Sequence, residues 1–265
     1  MAIDYVIDYP CVPKQTLGTD GILDRLKAQE RARAVIELFR RSGDNRPPTE
    51  MGFEFTRAAA DGGEETQVFV VQHLLDAAAE LRPLEPYCVG CPANRAGAPF
   101  GCMGQVKYPL SGAGEAWLLN QLPNVDETLL WMLLRQGIKD FDYDGSTALP
   151  LREADTAIFA DQRTSYRALG ELTVNSNQVF EMVFLVGHLQ PNHAGVLLLF
   201  FGAVARQLEA QDIIAVGTLP LAQREQIPFQ LGPEPDDDST IAELKEFFYG
   251  LYLAWQLDVR LLLDV

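Results

Sequence analysis

The sequence predicts an α+β protein, with a mixed N-terminal lobe holding a β-hairpin and a Cys-rich metal loop, and a helical C-terminal lobe. Three observations carry that expectation. Short runs rich in Val, Ile, Phe and Tyr have the composition of strands, and all lie in the first half of the chain. Longer segments carry paired helix start and stop signals. Beyond the 140–152 loop the pattern becomes strongly apolar, and the run over 179–186 does not alternate. The boundary is expected in the loop over 140–152, giving lobes 1–139 and 140–265 or one continuous domain.

Taken in order, residues 3–11 read as a strand leading into Pro10 and Pro13. A helix is expected over 20–42, capped by Thr19 or Asp20. Ile22, Leu26, Val35, Ile36 and Phe39 line its buried face, and Gly43 stands where a left-handed residue ends a helix. Residues 52–56 and 66–71 flank Asp61-Gly62-Gly63 as a hairpin. A short helix over 74–81 is stopped by Pro83 and Pro86. The loop over 86–104 is dense in Gly, Pro and Cys, and a short strand over 105–108 follows it.

Ser111 opens a helix that closes before Pro123. Asn124, with Glu127 three residues on, forms a capping box for the next helix, which Gly137 ends. Strand and helix readings compete for 179–186, and the lack of alternation favours helix; 193–205 is apolar all round, which marks a buried helix. Thr240 and Glu243 box the start of the last helix behind Asp236-Asp237-Asp238. Its core stripe is Leu244, Phe247, Phe248, Leu251, Tyr252 and Trp255. The run Leu261-Leu262-Leu263 is expected to be tucked into the core, or covered by a protein partner or a second copy of the chain.

The 265 residues carry a formal net charge of −16. A surface that negative repels phosphate backbones and anionic lipid, so neither nucleic acid nor membrane is expected as a partner. The basic stretch over 25–41 reads as the solvated face of a helix. The longest apolar run, over 194–205, is too short to span a bilayer. The first residues lack a basic segment followed by an apolar one, so the expected compartment is the cytoplasm, where thiols stay reduced.

Of the four cysteines, Cys88, Cys91 and Cys102 fall within the 86–104 loop, and Cys11 closes the first strand. A C-x-x-C step lets two thiolates face one ion, with Gly90 permitting the tight turn between them. A loop rich in Gly and Pro is a poor place for plain core thiols. Pro86 and Pro92 likewise argue against a thioredoxin-like redox pair, which needs a helix opening at its first Cys. The expected ligand set is therefore Cys11, Cys88, Cys91 and Cys102.

All-thiolate sites suit zinc and also a [4Fe–4S] cluster, and a Pro directly after a ligand, as in Cys91-Pro92, occurs in ferredoxin-type runs. One distant Cys plus a group of three resembles the iron–sulfur staples of some recombination nucleases. That resemblance covers the four cysteines alone, and the nuclease carboxylate pattern is missing here.

Asp140, Asp142, Asp144 and Gly145 match the start of a calcium loop, but Leu151 stands where its bidentate Glu belongs. An acidic solvated turn is the expectation. Pro191 separates His188 from His193, so they cannot form a helical metal pair, and His73 stands alone. Glu181 in its apolar surroundings is expected to be structural. The sequence thus points to a cytoplasmic binding or regulatory protein, stapled by a metal on its four cysteines and without a catalytic constellation. An iron–sulfur redox protein or sensor is the alternative.

Overall fold

The structure, a computed structural model, describes residues 2–58, 64–95, 97–154 and 158–264. It is mixed helix and strand, and it divides into two compact units: residues 1–9, 92–97 and 101–265 form one, and 10–91 with 98–100 form the other. This partition differs from the expected lobes 1–139 and 140–265. Residues 101–139 fall in the larger unit because residues 103–107 pair with the first strand and the helix over 112–121 packs on the last helix.

The larger unit is built on an antiparallel sheet of β1 (Ala2–Ile7), β4 (Met103–Lys107), β7 (His188–Leu189) and β8 (Leu261–Asp264), in the order β4-β1-β8-β7. Residues 3–7 are all buried, so β1 is covered on both faces and shows no alternation. The apolar run at 261–263 is thus an interior strand, paired on both sides within this sheet.

Helix α10 (Ser239–Gln256) supplies the core. Phe247 meets Tyr5 edge-on at 5.3 Å and Phe184 at 4.9 Å, while Phe248 lies 4.9 Å from Phe201. Against it pack α3 (Gly112–Gln121) and α7 (Pro191–Phe200), with α6 (Ser176–Phe184) meeting it through Phe184; α4 (Thr128–Asp140) and α5 (Leu149–Glu153) belong to the same unit. The short helices α8 (Ala210–Ala215) and α9 (Leu221–Arg224) and the hairpin β5 (Tyr166–Leu169)–β6 (Leu172–Asn175) complete the unit.

Several helix ends differ from expectation: α6 covers 176–184 in place of 179–186, and α7 covers 191–200 in place of 193–205. The cap of α10 is Asp238, whose side chain accepts the Ile241 N–H at 2.8 Å; Glu243 instead accepts the Lys107 N–H at 2.6 Å. Asn124 does donate its N–H to Glu127 at 2.8 Å, yet α4 opens only after Glu127. It also runs through Gly137 to Asp140, because Leu130, Leu134 and Ile138 keep burying one stripe across the glycine. No described helix is long and apolar enough to cross a membrane.

The smaller unit holds α1 (Val12–Arg41), the hairpin β2 (Gly52–Ala58)–β3 (Glu64–Val70), α2 (Val71–Ala79) and a 3-10 helix over Arg82–Cys88. Ala32, Met51 and Val71 are its buried centre, with Val35, Ile36, Phe39, Phe53, Leu74 and Leu75 packed around them. Helix α1 starts eight residues before the expected Asp20 but is broken at Gly18 (φ 71, ψ 167), a conformation open essentially to Gly alone. Its end is a Schellman motif. Gly43 (φ 81) donates to the Arg40 carbonyl and Asp44 to that of Phe39, at 3.0 and 2.9 Å. The expected hairpin turn at 61–63 lies outside the described residues.

Candidate metal centre

Cys11 is the N-cap of α1, with extended backbone (φ −153, ψ 162). Its carbonyl accepts the Gln15 N–H at 3.1 Å, while its thiol makes no capping bond and stays half-buried. Pro13 follows within the first turn, where a missing N–H costs nothing.

Cys88 is the last residue of the 3-10 helix and is buried. Val89 (φ −68, ψ 123) and Gly90 (φ 71) then make a type II turn, closed by the Cys91 N–H on the Cys88 carbonyl at 3.3 Å. A Cβ on Gly90 would meet nothing within 4 Å, so the glycine is required by the torsion angle and not by crowding. Cys91 leaves the turn half-buried.

A further donor reaches this turn. Phe100 holds φ at 60°, uncommon for a bulky residue. In that conformation its backbone N–H points at the Cys88 sulfur, 3.3 Å away. Burial pushes the Cys88 thiol above its ordinary pKa, and the Phe100 N–H opposes the rise by stabilising the thiolate. Cys11, Cys91 and Glu85 add smaller upward pushes, since a second negative charge nearby disfavours the first. Cys11 and Cys91 therefore both lie within electrostatic reach of Cys88 inside the smaller unit.

Cys102 belongs to the larger unit, buried and immediately before β4, where its carbonyl accepts the Ile7 N–H at 2.9 Å. All four cysteines are thiols. Among the described residues, no three His, Cys, Asp or Glu side chains close into a group able to hold a metal ion.

The weaker signals resolve into structure. Glu181 is buried, and its carboxylate accepts N–H bonds from Gly145, Thr147 and Ala148 at 2.8, 2.6 and 3.3 Å. The backbone donors that follow Asp144 are thus committed to a carboxylate. His73 and His188 are exposed, and His193 stacks on Phe141 at 6.2 Å. An open cleft of about 630 Å³ in the larger unit contains Asp8, Asp258 and Arg260, but Asp8 pairs with Arg260 and Asp258 with Arg224.

Sequence reasoning missed two features. One is the Phe100 donor, whose signal is only a bulky residue between Pro99 and Gly101. The other is the buried pair Arg152–Glu115, whose ions lie in helices far apart in sequence. Compared with known proteins, the chain matches no family model, no curated protein and no solved structure.

Proposed function

We propose that the chain is a metal-stapled binding or regulatory protein, in which Cys11, Cys88, Cys91 and Cys102 hold one zinc ion. The observation that carries this reading is the Phe100 N–H directed at the Cys88 sulfur from a left-handed backbone. Strained backbone persists where surrounding structure over-determines it, often at functional sites. Donors to sulfur are also what a ligating thiolate needs from its outer shell. The type II turn presents Cys88 and Cys91 three residues apart, and Cys11 lies near enough for its charge to act on Cys88. Cys102, two residues beyond Phe100 in the chain, is the fourth thiol of the proposal. Four thiolates on one zinc leave no open position, so such a centre is structural.

A second reading, an iron–sulfur redox protein or sensor, draws on the same N–H···S bond and on Cys91-Pro92, because hydrogen bonds to sulfur tune cluster potentials. Elemental analysis and a visible spectrum of protein purified without oxygen separate the two. Zinc at about one per chain and no colour supports the staple. Iron with matching sulfide and a broad visible band supports the cluster. A metal-free, colourless protein that binds neither on reconstitution would falsify both.

A further inference from the structure

We propose that Cys88 and Cys91 form a peroxide-operated thiol switch, in which a disulfide between them releases the metal. The metal-release half rests on the reading above; the disulfide itself does not.

The turn is already shaped for the bond. Residues at the two ends of a β-turn have Cα atoms within about 7 Å. Disulfides span about 4.4–6.8 Å between Cα atoms. Gly90 at φ 71 and the closing hydrogen bond at 3.3 Å hold Cys88 and Cys91 in that relation without any rearrangement of larger elements. A loop of this size also closes at little entropic cost, whereas pairing either sulfur with Cys11 joins segments far apart in the chain.

Accessibility assigns the order of events. Val89 is 85% exposed and Gly90 is exposed beside it, so the turn faces water. Cys91 is half-buried and Cys88 is buried beneath the Phe100 N–H. A small hydroperoxide therefore reaches Cys91 first, and Cys88 resolves the product.

With hydrogen peroxide as oxidant, the Cys91 thiolate attacks one peroxide oxygen. An S–O bond forms, the O–O bond breaks, and the departing hydroxide takes up a proton to become water. The Cys88 sulfur, giving up its proton to the leaving hydroxide, then attacks the Cys91 sulfur. The S–S bond forms, the S–O bond breaks, and the second hydroxide leaves as water. Two electrons pass from the sulfur pair to the peroxide. Neither sulfur of the disulfide remains an anionic ligand, and the two thiolates left fall short of the four a structural zinc site requires.

The test uses the full chain, purified without oxygen and then exposed to hydrogen peroxide. Metal release is read with a chelating dye, thiols are counted, and disulfides are mapped by mass spectrometry without reduction. The expected result is a linked Cys88–Cys91 peptide, two thiols lost per chain, and metal lost in step, all reversed by a dithiol reductant with added metal. The linked peptide is also expected to persist in Cys11→Ser. A Cys11–Cys88 or Cys11–Cys102 linkage, or over-oxidised Cys91 with no linked peptide, overturns the switch. Metal retained on a linked chain overturns it too and leaves the centre standing. A Cys88–Cys91 disulfide in a chain that never carried metal supports the thiol pair but refutes metal release and the staple together.

Discussion

Arg152 and Glu115 form a two-point ion pair inside the larger unit, with guanidinium-to-carboxylate distances of 3.2 and 2.5 Å and both side chains essentially out of water. The remaining Arg152 donors are met by Asn177, Ser176 and the Asp161 carbonyl, and its guanidinium lies 3.8 Å above the Phe159 ring. Removing one partner strands the other charge. Glu115→Gln should therefore cost about 3–5 kcal/mol, while Glu115→Leu with Arg152→Met should recover much of it. Denaturant midpoints of the single and double variants check this; equal losses in all would place the effect elsewhere.

Glu181 answers three backbone donors. Glu181→Gln turns one accepting oxygen into an NH₂ group facing those N–H bonds, and a loss of about 1–3 kcal/mol is expected. Thermal unfolding of the variant reads the loss directly. Added calcium should leave the wild-type midpoint where it was.

His193 supplies a pH dependence. Burial holds its imidazole below the ordinary His value of 6.5, so the folded state favours the neutral ring. With the folded pKa below the unfolded one, this contribution is full above the unfolded value and is lost as pH falls through the folded value. His193→Phe keeps a ring to stack on Phe141 and removes the proton site. As pH falls below the ordinary His value of 6.5, its stability should fall less steeply than that of the wild type.

Gly217 tests a close approach. A Cβ there would come within 2.7 Å of the Asn192 backbone, which no rotamer change can relieve. Gly217→Ala should cost about 1–3 kcal/mol by forcing a backbone shift. Gly112, where an added methyl group would meet nothing within 4 Å, is the matched control, and Gly112→Ala at the start of α3 should be neutral or mildly stabilising.

The metal proposal makes its own demand on stability. At about a hundred times its Kd, a ligand that binds only the folded chain adds about 2.7 kcal/mol. Stripping metal with a chelator under reducing conditions should lower the unfolding midpoint accordingly, and Cys11→Ser should abolish the difference between treated and untreated protein. A chelator that removes the metal without moving the midpoint would sink the staple.

Legibility in the sequence followed the range of the forces involved. Helices α6, α7 and α10 were readable because unbroken apolar runs act within a few residues, although the α10 cap proved to be Asp238 and not Thr240. Gly43 and Gly90 were readable because one torsion angle excludes other residues. The four-residue strands β5 and β6 were missed, being too short to show a period. β8 was seen only as an apolar run, since nothing near it announces β1 and β7 as its partners. The cysteine grouping was visible as spacing. Phe100 was not, because its part is played by a backbone N–H that carries no side-chain signature.

The place of β8 between β1 and β7 also sets an order of assembly. Residues 4–7 lie against residues 261–264, so the centre of the main sheet pairs segments separated by nearly all the intervening chain. During synthesis β1 emerges first and can meet β4 early, but its other edge must wait for β8 to leave the ribosome. Until then that edge presents unmet backbone groups on an apolar strand, the kind of surface that recruits chaperones or other unfinished chains.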